Sequence, residues 1–112
     1  MPKIYLSPST QDQNPYVDQS GSEEYWMNLL ADELEPYLYA NTIAFVRNTP
    51  EMTAASSIAQ AERIGGFDFY LALHSNASGE GQAGKNRGII VFYYPTSSEG
   101  KRAAGLFAAQ LK

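Results

Sequence analysis

The stretch Tyr70–Ser78, YLALHSNAS, carries the chain's single histidine, His74, where an apolar run gives way to polar residues. The chain has no cysteine. Thiolate zinc sites, disulfides and a cysteine nucleophile are therefore excluded, and any metal site must use His, Asp, Glu and amide oxygens. Glu23 stands at the far end of a turn-rich stretch that follows the first apolar run. In an open α/β sheet, strand-to-helix loops emerge at one edge, where sites form. Glu23 and His74 are thus expected to approach each other despite their separation in the chain. A neutral imidazole nitrogen and a carboxylate oxygen suit Zn²⁺, at roughly 2.0–2.2 Å, with a position left for water. Plainer roles compete: a strand-end histidine bonded to backbone, and a glutamate at a helix start.

The elements that would position this pair follow from patterning. Lys3–Leu6 reads as a short strand, and SPSTQDQNPYVDQSGS, Ser7–Ser22, reads as a long loop punctuated by proline, asparagine and glycine. Loops of this length tend to be functional. Glu23 to about Leu38 reads as a helix, with Ser20 or Ser22 as cap and Ser20–Glu23 at capping-box spacing. Its expected buried stripe is Trp26, Leu29, Leu30, Leu34, Tyr37 and Leu38. Pro36 should kink the helix or end its regular part near Glu33.

Asn41–Asn48 reads as the second strand. The second helix is expected to start with Thr49 as cap and Pro50 in first position. Met52, Ala55, Ile58, Ala59 and Ile64 would face inward, and Gly65-Gly66 would close it. Phe67–Leu73 is the third strand, nearly continuous in apolar residues, as in strands covered on both faces. Ser75–Arg87 reads as a flexible loop and Gly88–Tyr94 as a fourth strand. A last helix follows Pro95, with Glu99 as cap and Ala103, Leu106, Phe107 and Leu111 inward. The order β-α-β-α-β-β-α predicts one α/β domain with an open, mostly parallel sheet.

The formal net charge is −4 over 112 residues, which does not suggest a nucleic-acid groove or an anionic membrane surface. No apolar run reaches the roughly 20 residues of a membrane span. Met1 leads into a strand pattern without a basic and hydrophobic leader, so no Sec signal peptide is expected. A serine hydrolase using Ser7, Ser9 or Ser75 with His74 is disfavoured, because no GxSxG elbow exists. A nucleotide site is disfavoured because no glycine-rich phosphate loop follows the first strand.

Taken in order, KIYLSPSTQ, GSEEYWMNLLADEL, FVRNTPEMT, DFYLALHSNAS and RGIIVFYY resemble the zinc-dependent N-acetylmuramoyl-L-alanine amidases. These are cell-wall hydrolases of sporulation autolysins and phage endolysins. LHSNA is the most specific segment, and the glutamate helix is second. The resemblance implies an open, phosphorylase/hydrolase-like sheet with helices on both faces. Residues 1–112 would be the N-terminal two-thirds of the catalytic domain. It also implies one Zn²⁺ held by His74 and Glu23, with Glu24 as the alternative glutamate. The implied reaction is hydrolysis of the amide between N-acetylmuramic acid and L-alanine in peptidoglycan, without nucleic acid or membrane span. The work would be done at the bacterial wall by a phage lysin or mother-cell enzyme.

Two departures stand out. The family carries a further histidine in the first loop, where this chain has none and Gln13 stands at the matching place. A glutamine amide is a poorer zinc ligand, and Asp12 and Asp18 are better substitutes chemically. The general-base glutamate of the family is expected beyond Lys112, and neither Glu80 nor Glu99 replaces it. An incomplete sheet would expose an edge and invite self-association. Asn76 and Tyr16 are candidate substrate contacts, with Tyr93 and Tyr94 as further sugar-stacking faces. The alternative is a degenerate module of the same fold that binds muropeptide without cutting it.

Overall fold

The computed structural model describes residues 1–10, 21–75 and 90–111. Its elements run β1 (Lys3–Pro8), α1 (Glu23–Ala40), β2 (Ala44–Arg47), α2 (Ala54–Ile64), β3 (Phe69–Leu73) and α3 (Ser98–Gln110). The three strands form one parallel sheet in the order β2-β1-β3. This is a small α/β domain. Among the described residues, no helix is long and apolar enough to cross a membrane.

Strand order determines where the helices go. The chain leaves central β1 for β2 on one side, then crosses to β3 on the other. Right-handed crossovers in opposite directions place α1 and α2 on opposite faces. On one face, Ala31 and Leu38 of α1 bury against Leu6, with Ile4, Leu34, Phe45, Leu71 and Leu73 packed around them. Phe107 of α3 stacks on Phe69 with ring centroids 5.9 Å apart, so α3 shares that face. On the other face, Tyr5 stacks on Tyr70 at 5.2 Å and donates its hydroxyl to Gln60 Oε1 of α2.

α1 is turned differently from the expected stripe. Its inward line is Glu23, Met27, Ala31, Leu34 and Leu38, whereas Trp26, Leu29, Leu30 and Tyr37 lie exposed. Leu34 and Leu38 face inward as expected. The small side chain of Ala31 lets the helix sit close over Leu6, and a sheet of three strands is too narrow to cover the flank that carries the larger residues. Pro36 does not end α1. It sits on the exposed side, where the carbonyl of Asp32, left without its helix bond, can turn to water. Ser22 is the N-cap and accepts from the Tyr25 N–H.

α2 begins later than expected. Thr53, not Thr49, is its cap, in a reciprocal capping box with Ser56. Residues 50–52 form a turn instead. Ser57 is fully buried, and Ile58 and Ile64 are exposed, because the polar face of α2 meets the hydroxyls and amides of the sheet. Gly65 and Gly66 end the helix at positive φ, as expected.

The expected fourth strand is absent from residues 90–94, which form no ladder; residues 88–89 lie outside the described residues. Ile90, Phe92 and Tyr94 are more than two-thirds exposed. β-propensity expresses fit to a pleated, half-buried surface, and this run has no such surface to fit. In α3 the cap is Ser97 rather than Glu99. Ala104 and Phe107 turn inward, while Leu106 and Leu111 are exposed.

Candidate functional site at the sheet edge

The order β2-β1-β3 puts a topological switch point between β1 and β3. There the connections leave in opposite directions across the sheet, and a crevice is expected beyond the carboxyl ends of the strands. Glu23 and His74 meet at this edge. His74 Nδ1 lies 2.8 Å from Glu23 Oε2. A carboxylate only accepts, so an ionised Glu23 accepts the hydrogen bond that a protonated Nδ1 donates. Glu23 is 2% exposed and begins α1, where the helix N-terminus favours its negative charge. The His74 side chain is about half exposed and so faces solvent and substrate, while its partner is sealed away. Glu24, the other member of the doublet, instead offers its backbone carbonyl to Asn28.

The spacing suits a hydrogen bond and lies near what a cation needs. Two donors on one tetrahedral zinc stand about 3.4 Å apart, given bonds of roughly 2.0–2.2 Å. Opened by that small difference, the pair could supply two of a cation's ligands. Among the described residues, no third His, Asp or Glu completes a cluster with them. Gln13, Asp12, Asp18, Tyr16, Asn76 and Glu80 lie outside the described residues. Tyr93 and Tyr94 are exposed, in the segment before α3.

Sequence reasoning missed the amides that build this edge. Asn48 follows β2 and is 4% exposed. Its Nδ2 faces Ser7 Oγ at 3.2 Å, the Pro8 carbonyl at 3.2 Å and Ser57 Oγ at 3.0 Å. Its Oδ1 is buried without a hydrogen-bond partner. Tyr70 donates to Ser7 Oγ at 3.0 Å, so the Ser7 hydroxyl is held in a network rather than offered as a nucleophile. Ser7, Pro8, Asn48 and Tyr70 border a cleft of about 120 Å³ that reaches along Ala72 to His74, with Ala54 and Ile58 of α2 as its wall.

Asn28 and Arg47 lie on the α1 side of the same edge. Arg47 ends β2 and bridges Asp32 at 2.7 Å and Glu35 at 2.6 Å, tying α1 to the sheet. No protein-family model, curated protein or solved structure matches this chain.

Proposed function

We propose that this chain is part of a zinc-dependent N-acetylmuramoyl-L-alanine amidase that acts on peptidoglycan in the bacterial wall. The observation that carries this reading is the meeting of buried Glu23 and half-exposed His74 at the switch point of a parallel sheet. The motif order in the sequence supports it, LHSNA above all. In this reading the three strands belong to a phosphorylase/hydrolase-like sheet.

Glu23 and His74 would hold the metal. Bound there, zinc would polarise the scissile carbonyl and lower the pKa of the attacking water. The residues do the rest. Glu23 presents a fixed, desolvated carboxylate, held by the start of α1. His74 would offer Nδ1 to the metal as the neutral tautomer that keeps its proton on Nε2; in the hydrogen-bonded pair, Nδ1 and Glu23 Oε2 hold each other's orientation. The cleft beside His74 would receive the substrate and exclude water from one side. No described residue is assigned as general base.

A second reading is a non-catalytic muropeptide-binding module. The absence of a histidine from the first loop favours it, because His74 is the chain's only one. Hydrolysis of the lactyl–alanine amide frees an alanine amine. Purified peptidoglycan treated with the chain and zinc should gain N-terminal alanine, detected by amine labelling and mass spectrometry. His74→Ala and Glu23→Gln should abolish the gain. Wall binding with no new amine would support the binding module and contradict the amidase.

A further inference from the structure

We infer that Asn28 is the positioning residue of the Glu23–His74 site, an inference that rests on reading that pair as the functional centre. Asparagine is a poor helix former, yet Asn28 stands inside α1, one turn after Glu24. Its side-chain amide accounts for it. One Nδ2 hydrogen reaches the Glu24 carbonyl at 2.7 Å, and the other reaches the Ser9 carbonyl at 3.1 Å. The Ser9 N–H in turn donates to the Leu73 carbonyl at 2.9 Å. Leu73 precedes His74, and Glu24 follows Glu23. One carboxamide and one residue, Ser9, therefore join the backbone beside the glutamate to the backbone beside the histidine.

The amide is itself clamped. Arg47 Nη2 donates to Asn28 Oδ1 at 3.2 Å and to the Asn28 carbonyl at 3.0 Å. Arg47 Nη1 grips Asp32 and Glu35 one and two turns further along the helix. Strand β2 thus sets the azimuth and height of α1, and Asn28 passes that setting to the end of β3 through Ser9. Without the two Nδ2 bonds, the start of α1 can slide against β3 while Arg47 still holds the helix. A start of α1 free to slip leaves Glu23 and His74 without a fixed separation or alignment, which weakens both their 2.8 Å hydrogen bond and their hold on any cation they would share.

The single histidine makes the test specific. Nitrogen-detected NMR of the metal-free chain reads one imidazole, and calorimetry reads its zinc affinity. Asn28→Asp keeps the size of the side chain and a partner for Arg47 but removes both donors; Asn28→Leu removes all polar contacts. Both should lose the hydrogen-bonded Nδ1–H signal, and zinc binding should weaken about tenfold or more, as for groups that orient metal ligands. Asp32→Ala removes a partner of Arg47 but leaves the Asn28 bonds, so it should keep both properties. If Asn28→Leu fails to fold, Asn28→Asp carries the test. Retention of signal and affinity in Asn28→Asp would overturn the inference, as would their loss in Asp32→Ala. Glu23→Gln separates the two levels. If it changes neither readout, the site reading fails; if it changes both while Asn28→Asp changes neither, only the role of Asn28 fails.

Discussion

A buried carboxylate needs partners, and His74 is one that Glu23 has reached across the sheet. Among the described residues, the hydrogen bonds around this edge come from neutral side chains: the amides of Asn28 and Asn48 and the hydroxyls of Ser7, Ser57 and Tyr70. Tyr5 shows the same economy on the α2 face. Burial raises its phenol above the usual value, and the stacked Tyr70 adds to the rise. A proton is therefore lost more readily from the unfolded chain than from the folded one. Stability from this residue is full below the unfolded value near 10 and declines as pH rises through and above it. Tyr5→Phe should cost about 0.5–1.5 kcal/mol at neutral pH, for the bond to Gln60. It should also flatten the alkaline limb of stability. Urea midpoints between neutral pH and pH 11 check both; an unchanged alkaline slope would contradict the account.

At the scale of elements, the entry into α1 matters most, because it aims Glu23. Gly21 stands there at φ +136°, and a Cβ built on it would lie 2.5 Å from the indole nitrogen of Trp26. Gly21→Ala should destabilise by about 1–3 kcal/mol, from backbone strain and the displaced indole. A lower urea midpoint with an unchanged slope would show it. The existence of α1 was legible from Ser22, Glu23 and the apolar steps that follow. Its rotation was not, because Trp26, Leu29 and Leu30 outweigh Ala31 on any hydrophobic count. Close helix–sheet approach selects the small residue, and that selection depends on the strand beneath. The start of α2 was obscured similarly: Pro50 is a good first-turn residue, but Thr53 and Ser56 cap each other.

At the scale of the whole molecule, the parallel alternation and the shared edge were legible. Apolar β-branched runs and helical spacings follow from local physics, and the edge rule then brings Glu23 toward His74. The fourth strand was not legible as absent from residues 90–94, because propensity in GIIVFYY says nothing of whether an edge receives it. Nor were Asn28 and Asn48, whose partners are backbone and hydroxyl oxygens remote in sequence. The central claim is that Glu23 and His74 share one cation. Crystals of the chain soaked in zinc and measured at the zinc absorption edge test it most directly. The account predicts an anomalous peak within about 2.0–2.2 Å of both His74 Nδ1 and a Glu23 carboxylate oxygen. A fully soaked crystal with the two side chains still hydrogen-bonded and no peak between them would contradict it.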